Sequence, residues 1–345
     1  MTSVAEDLDG TERTALLTRI SGSALGPFLG LILVFSLFAV GDIVRSNMTG
    51  KRVSFLTVST GQQLLRDSSL TAVAALGMLL IIIAGGIDLS VGTGIALCAT
   101  VTAWLFREGY PTAAALFGGV ATGCLIGLLN GTLITSLKLV PFIVTLGTMS
   151  ILRGIGLILS NPLRINASAQ TPDWVKELQI AYHEPKWLMV STGVWLTLLL
   201  SIAVAVLLKY SVFGRRVFAV GSNEATARLC GINVAKTQIA VYTVAGFFTG
   251  IAGLFFFAMS SGDVDPNDGV GKELVVIAAV VIGGGSLNGG RGSLPGMLGG
   301  AGIIKTITHG CTILGIGTRY QQVIIGTIIV TAVALDQLRQ RRLRE

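Results

Sequence analysis

Charge is scarce in this sequence. Only 12 % of its 345 residues are Asp, Glu, Lys or Arg, against about 25 % in soluble domains. The shortage runs the whole length, with 52 % hydrophobic residues and a mean hydropathy of +0.76. That excludes a soluble body on one anchor and implies many membrane spans. There are only two histidines, His183 and His309, and four single, widely spaced cysteines, Cys98, Cys124, Cys230 and Cys311. With no CxxC and no HExxH, disulfide scaffolds and metal sites are not expected. A basic leader is also missing: Met1–Arg19 is polar and carries Glu6, Asp7, Asp9 and Glu12, so no cleavable signal peptide is expected. The net charge is +7, but the basic residues sit between apolar runs. They read as topology signals, and nucleic acid is not expected as a partner.

A span needs roughly 20 apolar residues. Ten stretches qualify: Pro27–Val44, Ser69–Gly85, Ser90–Phe106, Thr112–Ser136, Pro141–Ser160, Trp187–Leu208, Gln238–Ala258, Glu273–Gly285, Ser293–Cys311 and Gln321–Leu338. The eighth is short. The expected fold is thus an all-α integral membrane protein of about ten transmembrane helices, some broken by glycine, with an internal repeat. A tail at 1–26 precedes the permeating body at 27–338, and a second tail follows at 339–345. Basic residues orient it. The C-terminal tail has Arg339, Arg341, Arg342 and Arg344, and the loop at 209–236 has Lys209, Arg215, Arg216, Arg228 and Lys236. Ten spans put both on the cytoplasmic side, together with the N-terminus and its Arg13 and Arg19. Met259–Lys272, with Asp263, Asp265 and Asp268, and Asn161–Lys186 then lie outside. Arg45–Asp67 conflicts, because it would be outside yet holds Arg45, Lys51, Arg52 and Arg66. Either it is partly an amphipathic surface segment or the first two boundaries are misplaced.

The chain is organised around Leu76–Ala96, LGMLLIIIAGGIDLSVGTGIA. An apolar run stops at Gly85-Gly86, crosses Asp88 and restarts at Val91. A charge in a span costs about 2.5–3.5 kcal/mol or more, and irregular backbone at that depth must be buried in protein or line water. Two helix ends could meet inside the bundle here, with Asp88 or Ser90 capping the second. A short loop at the membrane surface fits the residues equally. A similar break, Gly283-Gly284-Gly285-Ser286-Leu287-Asn288-Gly289-Gly290-Arg291, follows the eighth run. Corresponding breaks in two halves point to a transporter repeat. The second break lacks the GK[ST] of a phosphate loop, so this chain is not expected to bind a nucleotide.

Gly119, Gly123, Gly127 and Gly131 recur every four residues and make one small face for close helix contact. Gly246 and Gly250 repeat the spacing, as do Gly296 and Gly300. Such faces suit either a moving pathway or static packing. Asn130 beside the first face could bond across helices or line a pore. In the loop YSVFGRRVFAVGSNEATARLCGINVAK, Ser222 or Asn223 can cap a short helix, Glu224 to Leu229, ending at Gly231. Glu224 and Arg228 form a favourable i,i+4 pair. The helix suits docking into a groove on a soluble partner, or it is a plain surface loop.

Five strings carry a resemblance: AGGIDLSVG (Ala84–Gly92), PFIVTLGTMSILRG (Pro141–Gly154), GSNEATARLCGIN (Gly221–Asn233), AAVVIGGGSLNGGRGS (Ala278–Ser293) and YQQVIIGTIIVTAVALDQ (Tyr320–Gln337). Together they resemble the ribose/xylose/galactoside-type permease subunit of bacterial ABC monosaccharide importers, collinear from about Leu56 to the C-terminus. The first forty-odd residues match nothing specific. The resemblance implies a permease in the inner membrane, paired with a second copy or a related chain. A periplasmic sugar-binding protein would deliver substrate to Met259–Lys272 and Asn161–Lys186. A cytoplasmic ABC ATPase would use the ATP, while this chain binds no cofactor and catalyses nothing. Ser222, Asn223, Glu224, Arg228 and Gly231 fall on its coupling helix. Candidate pathway residues are Asp88, Ser90, Asn130, Thr145, Thr148, Asn288, Gln321 and Gln322, since an alternating pathway should offer small, hydroxyl and amide groups. The competing class is an ion-coupled secondary transporter of a small polar solute. It needs intramembrane charge, for which only Asp88 and Arg153 are plausible.

Overall fold

The structure, a computed structural model, describes residues 25–50, 52–160, 164–180 and 190–342. The expected cytoplasmic N-terminal tail with Arg13 and Arg19, Lys51, His183, the start of the sixth expected span at Trp187, and Arg344 lie outside them.

The described chain is helical almost throughout. Its helices are α1 (Leu25–Thr49), α2 (Val58–Ile83), α3 (Val91–Arg107), α4 (Thr112–Leu137), α5 (Pro141–Ser160), α6 (Asp173–Lys176), α7 (Thr192–Tyr210), α8 (Val212–Ser222), α9 (Glu224–Leu229), α10 (Val234–Met259), α11 (Lys272–Ile282), α12 (Leu294–Ile313) and α13 (Thr318–Arg342). Two-residue strands β1 (Ile165–Asn166) and β2 (Asp263–Val264) pair antiparallel. Among the described residues each of the ten expected stretches overlaps a helix, and six helices are long and apolar enough to cross a bilayer: α1, α2, α4, α5, α7 and α10. Helices α3 and α11 have only 17 and 11 residues. Helix α12 carries Lys305 and His309 within its length, and α13 ends among arginines.

Burial sorts these helices. From Leu70 to Ile83 helix α2 is almost wholly apolar and every residue is buried, as a helix at the centre of a bundle must be. Helix α1 packs along α12 and turns Ile32, Leu33 and Leu37 outward. The glycine face of α4 lies on α10. A methyl at Gly131 would sit 2.8 Å from Ile239 Cα, and one at Gly123 would sit 2.6 Å from Gly250 N. Gly119 approaches Leu254, so the two helices run antiparallel with backbones in contact. Gly296 and Gly300 make the same kind of approach to Gly283 and Ala279.

At Arg45–Asp67 the boundaries differ from those expected, and among the described residues no helix lies between α1 and α2. Helix α1 continues to Thr49 and α2 begins at Val58. Arg45 is paired with buried Asp42 at 3.5 Å and Arg66 with Asp67 at 3.0 Å. Asp42 Oδ2 also accepts from Ser54 N at 2.6 Å and Phe55 N at 2.8 Å, which folds the connection back onto α1. Phe55 is buried between Phe35 and Phe38. Asp42→Ala strands both amides, at roughly 1–3 kcal/mol each when buried. The expected result is faster amide hydrogen exchange at Ser54 and Phe55, with α4 and α10 unchanged.

The loops that follow α5 and α10 meet through β1 and β2. Arg164 bridges Asp263 at 3.2 Å and Asp265 at 3.8 Å, and Arg153 donates to Asn267 Oδ1 at 2.9 Å. Arg153, a candidate intramembrane charge, therefore belongs to this loop contact.

Candidate functional site

Helix α2 stops at Ile83 because Gly85 takes φ +85°, a left-handed conformation that costs other residues a Cβ clash. Its N–H donates to Ile82 O, and that of Gly86 to Ile81 O, which closes the helix end as a Schellman turn. Gly284 (φ +88°) ends α11 in the same way.

Beyond Gly86 the chain turns back into the bundle, and polar groups from three helices meet it. Tyr242 of α10 donates its hydroxyl to Ile87 O at 3.3 Å. Leu89 N donates to Thr145 Oγ1 of α5 at 3.1 Å. Asp88 Oδ1 accepts from Ser90 N at 2.7 Å and Ser90 Oγ at 2.6 Å. Ser90 Oγ in turn accepts from Asn130 Nδ2 of α4 at 2.9 Å. Ser90 is the formal N-cap of α3 but its side chain makes no capping bond; Asp88 satisfies the free N–H instead. Asp88 is 6 % exposed, and Ser90, Asn130 and Thr145 are each 0 % exposed. Asn130 lies seven residues before the end of α4, about 10 Å along it at 1.5 Å per residue. The break is therefore buried in protein, with the ends of α2 and α3 packed against α4, α5 and α10. Asn130 Oδ1 is the one member of this cluster left without a partner among the described residues.

The two glycine breaks form one junction. Gly290 N donates to Ile83 O at 2.8 Å. A methyl at Gly289 would sit 3.0 Å from Gly85 Cα and 2.5 Å from Gly221 O, and one at Gly221 would press on Ile83 O and lie 2.8 Å from Gly290 N. Three backbones thus stack where only hydrogen atoms fit. Gly221 is the last but one residue of α8, a helix not anticipated from the sequence, and a single residue separates α8 from α9.

Helix α9 spans Glu224–Leu229, as expected. Asn223, not Ser222, caps it, accepting from Thr226 N at 2.9 Å. Ser222 is the last residue of α8 and packs on Gly290. Glu224 and Arg228 pair with each other, Nε to Oε1 at 3.2 Å. Gly231, at φ +79°, ends the helix. Removing the cap with Asn223→Ala is expected to destabilise this turn by about 1 kcal/mol, read as roughly fivefold faster exchange of the Thr226 amide.

Of the eight candidate pathway residues, Asp88, Ser90, Asn130 and Thr145 come together. The other four do not. Thr148 bonds within its own helix to Thr145 O at 3.2 Å. Asn288 is exposed at the second break. Gln321 donates to Ile316 O at 2.9 Å and Thr312 Oγ1 at 3.2 Å, tying α13 to the end of α12, and Gln322 is exposed. Tyr242 was missed. Its signal was a lone phenol in an otherwise apolar span. Among the described residues no group of three or more His, Cys, Asp or Glu could hold a metal ion.

The sequence family described as "Branched-chain amino acid transport system / permease component" matches residues 62–333. The chain is 35 % identical over 288 residues to the ribose import permease protein RbsC of Escherichia coli (strain K12), covering 83 % of this chain and 88 % of that one. It is 36 % identical over 289 residues to the D-allose transport system permease protein AlsC of the same organism, with 82 % and 85 % covered. It is 34 % identical over 313 residues to the fructose import permease protein FrcC of Rhizobium meliloti, with 89 % and 84 % covered. No solved structure matches the chain.

Proposed function

Because the chain belongs to the branched-chain amino acid transport system permease family, we propose that it is the membrane-spanning subunit of an ATP-driven importer carrying a monosaccharide. The names of its relatives, importers of ribose, allose and fructose, support that substrate class. The observation that carries the mechanism is the junction at Gly221, which joins the short exposed helix α9 to both glycine breaks. On this reading α9 is the coupling helix, with Ser222, Asn223, Glu224, Arg228 and Gly231 at or beside the contact with a cytoplasmic ABC ATPase. That partner binds and hydrolyses ATP. Closure of its dimer draws two coupling helices together, the junction passes the displacement to the ends of α2 and α11, and the pathway beside Asp88, Ser90, Asn130 and Thr145 switches its opening.

The chain works in this reading as a pair of permeases in the inner membrane, both termini cytoplasmic, surrounded by lipid. The body at 27–338 crosses ten times, counting α3, α11, α12 and α13 as spans, between tails at 1–26 and 339–345. A periplasmic sugar-binding protein docks on the joined outer loops. The repeat pairs α2–α3 with α11–α12, each pair joined through a glycine break, at Gly85-Gly86 and at Gly283-Gly284-Gly285. Gly92 of α3 packs against Gly269 and Glu273 at the start of α11. An ion-coupled transporter is disfavoured because the buried carboxylate Asp88 is committed to Ser90.

The test is uptake into proteoliposomes. Sugar uptake should require the ATPase, ATP and the binding protein, and charge reversal at Glu224 or Arg228 should separate ATP hydrolysis from uptake. Uptake driven by an ion gradient with this chain alone would falsify the assignment.

A further inference from the structure

Between α9 and the end of α4 lies a cleft of about 270 Å³. Lys138 and Pro141 line one side, Glu224 and Arg228 the other, and Gln238 completes it. Lys138 is the C-cap of α4 and sits at φ +52°, in the left-handed region. Glycine is the usual residue at such a helix end, and a lysine there is strained relative to it. What lysine adds is an ammonium at the negative end of the helix dipole. Among the described residues that ammonium has no carboxylate within ion-pair distance, and Arg228 uses Nε and Nη2 on Glu224 while Nη1 makes no bond. The surrounding loop adds Lys209, Arg215, Arg216 and Lys236, with Glu224 its one acid. Beside Arg228, Leu229 is 89 % exposed, which is unusual for a leucine outside the apolar spans.

We propose that this cleft is a socket for an acidic side chain of the ATPase. Leu229 enters the partner's surface while a partner carboxylate enters between Lys138 and Arg228. The inference rests on the reading of α9 as the ATPase contact and deepens it, because it makes the contact reciprocal and gives the partner's group a charge. An anionic lipid headgroup would answer the same charges but would leave Leu229 in water.

The experiment measures binding of the ATPase, purified from the assembled complex, to the permease in nanodiscs with and without anionic lipid. Lys138→Gly keeps the left-handed cap and removes only the charge; it should weaken binding roughly 5–10-fold. Lys138→Glu should weaken it by about 100-fold at low salt, with the loss shrinking as ionic strength rises. Leu229→Asp should weaken binding at every salt concentration. If Leu229→Asp and Glu224→Arg both bind normally, the coupling role of α9 fails. If Leu229→Asp disrupts binding but both Lys138 variants match the wild type, the socket alone is wrong. A loss for Lys138→Gly confined to discs with anionic lipid assigns the cleft to a headgroup and overturns the socket.

Discussion

One methyl group at position 221 is expected to remove more than nine-tenths of uptake. A Cβ there would press on Ile83 O and lie 2.8 Å from Gly290 N. All the crowding atoms are backbone, so no side chain can swing away. The stack can relieve the clash only by opening, which breaks the Gly290 N–H···Ile83 O bond. Overpacking of this kind typically costs about 1–3 kcal/mol and sometimes more. Gly231 is the internal comparison. It has a left-handed φ of +79° but open space around it, so Gly231→Ala carries only the conformational cost, about 1–2 kcal/mol. The expected pattern is a much larger fall in uptake for Gly221→Ala than for Gly231→Ala, with ATP hydrolysis persisting in both reconstituted complexes. Exchange at the Gly290 amide should rise in Gly221→Ala alone. Equal uptake by the two variants would show that the junction transmits nothing.

The second large effect concerns Asp88. Asp88→Ala removes the acceptor of two bonds at once and leaves the Ser90 N–H and hydroxyl unsatisfied in a site that is 0 % exposed. Each stranded buried donor costs about 1–3 kcal/mol, so a loss of roughly 2–6 kcal/mol is expected, read as a clear drop in thermal midpoint of the detergent-solubilised chain. Asp88→Asn keeps a carbonyl oxygen where Oδ1 stands and should retain most of that stability. A chain that tolerates alanine and asparagine equally would show that Asp88 organises nothing. Tyr242→Phe, which loses one bond to Ile87 O, should cost only about 0.5–1.5 kcal/mol.

The parts legible in the sequence are those whose chemistry is local. Helix α9 could be read residue by residue, because its cap, its i,i+4 ion pair and its terminating glycine all lie within nine residues. The break at Asp88 was legible as a charge with no business in a hydrocarbon span, but its burial was not: that rests on Asn130, Thr145 and Tyr242, which come in from distant helices. Arg45 and Arg66 each sit beside a carboxylate on their own helix, a pairing that a count of basic residues along the sequence does not see. Asn288, Gln321 and Gln322 were selected for side-chain type alone, and an amide closing a turn, as Gln321 does with Ile316 O, looks the same in sequence as one lining a pathway. The junction was hidden for a different reason. Gly85, Gly221 and Gly289 are defined by a missing side chain, and absence looks alike whether it serves a turn, a packing face or three crossing backbones.

The bare seam between α4 and α10 restricts how the protein can move. Gly123 and Gly127 meet Gly246 and Gly250 main chain to main chain, with no flexible side chains between them to act as lubricant. Sliding by even a fraction of a helical turn would drive carbonyl oxygens into Cα atoms, so the pair is restricted to travelling as a single rigid plank. Any rocking during the transport cycle must then pivot at the plank's edges, where the chain between α2 and α3 already bends.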